Sequence, residues 1–174
     1  MKKEKLFKII LTAVLVALNV ILERFVPAYQ LWYINLNFGF VTVAFAACYL
    51  GPQYAVLVGG LGDLIGALIR PFGPYFVGYT ITNMLVGLCF GLLLYKKATV
   101  LKISLAVLIN TIICSLLLNT LFIYFFSTKG YWAILFGRAP SIIVTAVIQI
   151  IIISVLFTKK SKINHLIKKA FPKF

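Results

Sequence analysis

The feature that most constrains this chain is a series of six long apolar stretches separated by short connections. A helix needs about 20 mostly apolar residues to cross the hydrocarbon core of a bilayer. Apolar residues make up 63% of the sequence and charged residues only 11%, whereas soluble domains are about half apolar and about a quarter charged. The sequence therefore predicts an integral membrane protein.

The apolar stretches favour helices, because they are long and continuously apolar, whereas the strands of a membrane barrel have about ten residues of alternating polarity. The predicted fold is all-α, with six transmembrane helices in one compact bundle that forms a single domain over residues 1–174. This length leaves no room for a separate soluble domain. The predicted helices cover about residues 6–22, 38–50, 53–69, 77–95, 100–126 and 131–157, and residues 158–174 form a basic tail.

The net charge of +14 is carried mainly by lysines near the two chain ends and around residues 96–102. Lysines at the ends of apolar stretches set topology and contact anionic lipids, so we expect membrane lipids as partners and no nucleic acid. The side of the membrane with more basic residues is the cytoplasm. Both termini are therefore predicted to be cytoplasmic, and the connections at residues 25–37, 70–76 and 127–130 are predicted to face outward.

The three arginines, Arg24, Arg70 and Arg138, all fall on the predicted outer half, whereas the inner side carries only lysine. Arginine is preferred where a planar carboxylate is bound by two donors. Aromatic belts and arginines that reach the headgroups are the alternative interpretation. The concentration on one side favours a pocket for an anionic ligand with an aromatic body. The aromatic residues on or near this half are Trp32, Tyr33, Phe72, Tyr75, Tyr79 and Trp132.

Residues 70–83 stand out among the apolar stretches, because they combine two prolines, two glycines, four aromatic residues and a cation. A plain membrane span needs none of these, so this segment is interpreted as a shaped, ligand-facing loop that opens into a helix. Thr80 and Asn83 at the start of the fourth helix, and Asn119 and Thr120 in the fifth, are candidate ligand contacts. Hydrogen bonds between helices are the alternative, and we expect that role for Asn110 and Gln149.

Asp63 lies within the third apolar stretch, beside Gly62 and near Gly66. An ionisable group in a membrane span is costly and is a functional candidate by default. It is either a ligand contact or the charge partner of one of the three arginines. We interpret Asp63 as a structural residue that fixes helix positions.

The sequence gives little support to enzymatic activity. It lacks the Gly-x-x-x-x-Gly-Lys-Ser/Thr phosphate-binding motif, so we do not expect the chain to use ATP itself. Its carboxylates are Glu4, Glu23 and Asp63, and its one histidine, His165, lies in the basic tail. General acid–base pairs and metal clusters need more such groups. We therefore expect no catalytic residues, no metal site and no cofactor.

Several of these segments resemble the folate-family substrate-binding (S) components of energy-coupling factor (ECF) vitamin transporters. The most specific is the loop Pro-Phe-Gly-Pro-Tyr-Phe-Val-Gly-Tyr-Thr at residues 71–80, preceded by Gly-Asp-Leu-Ile-Gly at residues 62–66. The resemblance extends over nearly the whole chain. Further matching segments are Ala13-x-x-x-Ala17, residues 35–40 with Gly51-Pro52, Leu118-Asn119-Thr120, and Trp132-Ala133 followed by Arg138.

The resemblance implies a protein of the prokaryotic plasma membrane that captures a vitamin outside with high affinity. It would associate with a transmembrane coupling protein and two cytoplasmic ATPases, which drive toppling of the component and release of the vitamin inside. Ala13 and Ala17 would lie near the coupling protein. Together with the arginine and aromatic pattern, the resemblance gives the predicted substrate-binding residues as Arg24, Trp32, Asn35, Arg70, Phe72, Tyr75, Tyr79, Thr80, Asn83, Asn119 and Arg138.

Folate is the predicted vitamin, because its flat rings suit the aromatic residues and its glutamate tail suits arginine. Val77, Tyr79 and Phe122 depart from the residues usual in the family, which are proline, phenylalanine and tryptophan. Another anionic vitamin such as pantothenate is the alternative. A stand-alone membrane facilitator is another hypothesis, and it predicts flux in liposomes that contain only this chain. A structural or assembly protein is the third, for which Arg70→Ala and Arg138→Ala should leave function unchanged.

Overall fold

A computed structural model describes residues 2–25, 30–31, 34–35, 38–71, 75–128 and 130–158. Within these residues the chain forms six helices, labelled α1 to α6 in chain order. Three of them contain π-helical segments, which are rare and often occur at functional sites. The helices are α1 (Lys2–Val20, then π-helical Ile21–Phe25), α2 (Gly39–Phe45, then π-helical Ala46–Leu50), α3 (Pro52–Ile69), α4 (Val77–Leu94), α5 (Val100–Asn110, π-helical Thr111–Leu118, then Asn119–Phe126) and α6 (Tyr131–Phe157).

The outer surface of the bundle has the character expected of a membrane protein. Five of the helices are long and apolar enough to cross a bilayer, and α2 is a shorter apolar helix. Large apolar side chains point away from the bundle, including Leu101, which is 80% exposed, and Leu68, which is 74% exposed. Lipid chains can cover such side chains, whereas water would leave a large apolar surface uncompensated. The predicted all-α membrane fold class is confirmed.

Glycines allow α3 and α4 to pack with their backbones in close approach. A Cβ atom at Gly87 would overlap the backbone carbonyl of Ala55, and one at Gly59 would overlap the carbonyl of Asn83. Small residues at helix contacts are the usual means of tight association in lipid, because they leave little side chain between the backbones. α3 and α4 therefore form the most closely joined helix pair of the described bundle.

Asn19 joins α1 to the beginning of α2. Its Nδ2 atom donates to the carbonyl oxygen of Gly39 at 3.0 Å and to Oγ1 of Thr42 at 2.8 Å. Gly62 of α3 lies against the same asparagine, and a Cβ atom there would overlap its side chain. One buried amide thus holds the first three helices in a fixed arrangement.

The bundle is filled at the end that carries the α2–α3 and α4–α5 connections. Phe90, Leu94, Ile103 and Ile153 are fully buried there and form one apolar cluster. Gly51 makes the sharp α2–α3 turn with φ of +105°, a conformation that side-chain-bearing residues rarely adopt. Dense packing at this end leaves the free interior volume nearer the middle of the bundle.

Two short strands occur in the connection between α1 and α2. β1 is Gln30–Leu31 and β2 is Ile34–Asn35. They pair antiparallel, with Gln30 opposite Asn35. β2 also lies against α6, the last helix of the bundle.

Candidate functional site

A cavity of about 520 Å³ lies inside the bundle, and all six helices contribute residues to its wall. Small-molecule sites usually have volumes of about 300–1,000 Å³. The wall includes apolar side chains such as Phe40 and Val86, but polar side chains predominate among its lining residues. A polar interior is unusual in a membrane bundle, where polar groups are costly and mark ligand pathways. The cavity is therefore the candidate binding site.

α6 presents a polar stripe to the cavity. Arg138, Ser141, Thr145 and Gln149 all line it, and their spacing of three or four residues places them on one helix face. Pro140 lies inside this helix, and proline cannot donate the backbone hydrogen bond that normally continues the helix. These polar residues line the cavity from Arg138, near the start of α6, toward the middle of the helix.

Arg138 contributes a cation to the cavity wall. Its side chain is half-buried, and its Nη1 atom donates to Oγ1 of Thr120 on α5 at 3.1 Å. A guanidinium has five N–H donors, and this is the hydrogen bond that Arg138 makes with the described residues. Further donors remain for a carboxylate, which arginine binds with two parallel hydrogen bonds.

α5 contributes a second polar stripe, and a π-helical segment shapes it. Thr111 and Ser115 line the cavity from this segment, and Asn119 follows directly after it. The Oδ1 atoms of Asn119 and Asn110 are buried without a hydrogen-bond partner among the described residues. An unsatisfied buried acceptor costs about 1–3 kcal/mol. Asn110 and Asn119 therefore place amide groups in the cavity wall that the described residues leave partly unsatisfied.

α1 contributes Asn19 and, one turn later, Glu23. Glu23 lies in the π-helical segment that ends α1, and its side chain is half-buried. Its carboxylate approaches the first turn of α2, because Oε2 lies 3.4 Å from the position that a Cβ atom on Gly39 would take. The cavity thus contains an acidic group as well as Arg138.

A second polar cluster lies beside the cavity and links α1, α3 and α4. Nη2 of Arg24 lies 3.2 Å from Oδ1 of Asp63, and both side chains are 7% exposed. Thr80 donates its hydroxyl to the other carboxylate oxygen of Asp63 at 2.7 Å, and the Tyr75 hydroxyl lies 2.8 Å from that of Thr80. These contacts satisfy the buried carboxylate on both oxygens and fix three helices relative to one another.

Arg70 connects the same cluster to the end of α3. Its Nη1 atom donates to the carbonyl oxygen of Arg24 at 3.0 Å, and Arg24 Nη1 donates to the Arg70 carbonyl at 3.4 Å. The Arg70 side chain is exposed. The two arginines therefore join the ends of α1 and α3, from which the two predicted outer connections begin.

The structure separates the predicted site residues into groups. Asn83, Asn119 and Arg138 line the cavity. Tyr79 packs edge-on against Phe76 and Phe122 in an aromatic cluster. The other described side chains of the predicted set, those of the Arg24–Asp63 cluster, lie next to the cavity rather than in its wall. Trp32 and Phe72 lie outside the described residues, and Asn35 belongs to β2, where only the backbone is described.

Sequence reasoning overlooked Asn19, Glu23 and most of the two polar stripes. The sequence assigns Glu23 no role beyond being one of three carboxylates, and it predicts structural roles for Gln149 and Asn110. All four of these residues line the cavity. The available signal was spacing, because Arg138, Ser141, Thr145 and Gln149 recur at helical intervals along one otherwise apolar helix.

Comparison with known proteins agrees with this architecture. Residues 7–157 match the family model described as "ECF transporter, substrate-specific component". One similar protein is the folate transporter FolT of Clostridium novyi (strain NT), which is 32% identical over 128 residues, covering 73% of this chain and 74% of that protein. Another is the folate transporter FolT of Leuconostoc mesenteroides subsp. mesenteroides, which is 30% identical over 169 residues, covering 93% of this chain and 90% of that protein.

A solved structure shares the fold. It is described as the crystal structure of FolT bound with folic acid, and it matches with a TM-score of 0.78 and 27% sequence identity. The match covers 88% of this chain and 93% of that chain. The helical arrangement described above is therefore that of a known substrate-binding membrane protein.

Proposed function

Because this chain belongs to the family of substrate-specific components of ECF transporters, we propose that it binds folate outside the cell membrane and serves in its uptake. The observation that carries the proposal is the cavity of about 520 Å³ with Arg138 in its wall. The curated relatives are folate transporters, and the similar solved structure contains folic acid. The protein is a multi-pass membrane protein and not an enzyme.

The chemistry of the cavity supports an anionic ligand with a flat polar body. Arg138 offers guanidinium donors to a carboxylate of the glutamate tail, which is the group arginine binds best. Asn119 and Asn83 offer amide groups to the polar edges of the rings. The Arg24–Asp63 cluster contributes by fixing the helices that surround the ligand, so Asp63 has a structural role in this proposal.

The partners in the proposal are a transmembrane coupling protein and two cytoplasmic ATPases, with both termini of this chain in the cytoplasm. Support comes from Ala13 and Ala17, which are exposed on α1 rather than packed inside the bundle. Small side chains on a lipid-facing surface allow another helix to approach closely. In this arrangement the ATPases supply the energy that releases folate inside.

The test is direct binding to the purified chain in detergent. Isothermal titration calorimetry should show tight, one-to-one binding of folic acid and much weaker binding of pantothenate. Preferred binding of pantothenate would favour the other anionic vitamin, and absence of binding to either would refute the proposed function. Liposomes that contain only this chain should show no net folate uptake, whereas a stand-alone facilitator would equilibrate folate across them.

A further inference from the structure

Glu23 places a carboxylate in the wall of the central cavity, in the π-helical segment that ends α1. With the described residues, this carboxylate forms no hydrogen bond, and no salt bridge with an N–O distance within 4 Å. The contrast with Asp63 is informative, because Asp63 is held by Arg24 on one oxygen and by Thr80 on the other. The two acidic residues of the membrane-spanning region therefore have different surroundings.

A carboxylate at membrane depth is expensive unless a partner compensates it. In the described bundle, the contacts of Asp63 with Arg24 and Thr80 join three helices, whereas Glu23 makes no comparable contacts. Glu23 lines a cavity of ligand size together with Arg138. Its compensating partner is therefore to be sought in the ligand.

Only certain ligand groups can serve as that partner. An ionised carboxylate is a pure acceptor with two oxygens, and it binds best to two parallel N–H donors. The pteridine ring of folate presents such a pair, formed by the N–H of its pyrimidinone ring and the adjacent exocyclic amino group. Pantothenate has no corresponding edge, and its own carboxylate would be repelled by Glu23.

We propose that Glu23 is a specificity-determining residue that binds the amino-pyrimidinone edge of the pteridine, while Arg138 binds the glutamate end of the same molecule. This inference rests on the proposed function and deepens it. A carboxylate that accepts from the N–H groups of the ring and a guanidinium that donates to the glutamate together recognise both the donor and the acceptor groups of folate. A site built to pair a ligand's N–H groups rejects analogues that lack them, because its buried polar group is then left unpaired.

The experiment compares three ligands with three variants by calorimetry. Folic acid has both ends, pteroic acid lacks the glutamate and 4-aminobenzoyl-glutamate lacks the pteridine. Glu23→Gln should weaken folic acid and pteroic acid by about tenfold to a hundredfold and leave 4-aminobenzoyl-glutamate unchanged. Arg138→Met should weaken folic acid and 4-aminobenzoyl-glutamate and spare pteroic acid. Glu4→Gln, which makes the same charge change outside the cavity, should alter none of them.

Several results would overturn the inference. One is unchanged affinity of Glu23→Gln for all three ligands, and another is an equal loss for all three, which would indicate a general change of the cavity. The unfolding temperature of each ligand-free variant should stay at the wild-type value, so that a folding defect is distinguished from lost recognition. Failure of the wild-type chain to bind folic acid would refute the proposed function together with this inference, whereas wild-type binding with an insensitive Glu23 refutes the inference alone.

Discussion

Arg24 of α1 and Asp63 of α3 form a salt bridge of 3.2 Å in which both side chains are 7% exposed. Removing two charges from water costs much of the free energy that their attraction contributes. Further hydrogen bonds join Asp63 to Thr80 and Arg24 to the carbonyl oxygen of Arg70. It therefore specifies how α1, α3 and α4 are arranged beside the cavity more than it adds stability.

Removing one partner of this pair should destabilise the fold strongly. We expect Asp63→Leu to lower the free energy of unfolding by about 3–5 kcal/mol, because it breaks the buried ion pair with Arg24 and removes the acceptor of the Thr80 hydroxyl. The double variant Arg24→Leu with Asp63→Leu should recover much of this loss. Unfolding of the detergent-solubilised protein by heat or by sodium dodecyl sulfate measures both.

Thr80→Val is the control for this comparison, because it removes one hydrogen bond to Asp63 and keeps the ion pair. Its cost should be about 1.5–3 kcal/mol, because the lost hydrogen bond goes to a carboxylate and the Tyr75 hydroxyl loses its contact with Thr80. A double variant that is less stable than Asp63→Leu alone would contradict the interpretation, since it would mean that Arg24 has a separate stabilising role.

Gly137 offers a way to fill the cavity without disturbing the fold. It lines the cavity, and a Cβ atom there would meet no other atom within 4 Å. We expect Gly137→Val to weaken folic acid binding at least tenfold while the unfolding temperature of the ligand-free protein hardly changes. Gly130→Val is the matched control, because Gly130 is equally open but lies outside the cavity wall. Equal affinities of the two variants would show that the ligand binds elsewhere.

Asn119 should contribute to binding and not to stability. Its buried Oδ1 atom lacks a partner among the described residues, so replacing it with leucine removes an unsatisfied acceptor. We expect Asn119→Leu to weaken folic acid binding about tenfold, which corresponds to about 1.4 kcal/mol, and to leave the unfolding temperature of the ligand-free protein unchanged or higher. Calorimetry and thermal unfolding test the two parts separately.

Asn19→Leu should behave in the opposite way with respect to stability. It removes the hydrogen bonds from Nδ2 to Gly39 and to Thr42, so the unfolding temperature should fall. If Asn119→Leu destabilised the protein as much as Asn19→Leu, Asn119 would have to be regarded as a structural residue.

The fold class followed from properties that act locally. Hydrophobicity and length indicate a membrane helix without knowledge of its neighbours, and Gly51-Pro52 indicates the turn that the structure shows with Gly51 at a positive φ. The membrane-facing positions are equally local, because a side chain such as Leu101 needs only lipid around it. These features depend on whether water or lipid surrounds the helices, and the composition already indicates lipid.

The site depended on how the helices are rotated against one another, and this was harder to predict. Asp63 had three possible arginine partners in the sequence, and only the packing of α1 against α3 selects Arg24. Glu23 and Arg24 are neighbours at the π-helical end of α1, yet Glu23 lines the cavity while Arg24 pairs with Asp63. Helical spacing reveals a polar face, but it does not reveal whether that face meets a cavity or another helix.

Ala13 should matter for uptake without affecting capture of the ligand. It is exposed on α1, away from the residues that line the cavity. We expect Ala13→Trp to leave folic acid affinity unchanged, because the cavity is untouched, but to block close approach of the coupling protein. Cells that depend on this chain and its ATPase partners should then take up folate at least tenfold more slowly, and the partners should no longer copurify with it. Val14→Trp is the control, since Val14 is also exposed, at 56%, but lies about 100° around the helix. Normal uptake by Ala13→Trp, or an equal defect in both variants, would contradict a docking surface at Ala13.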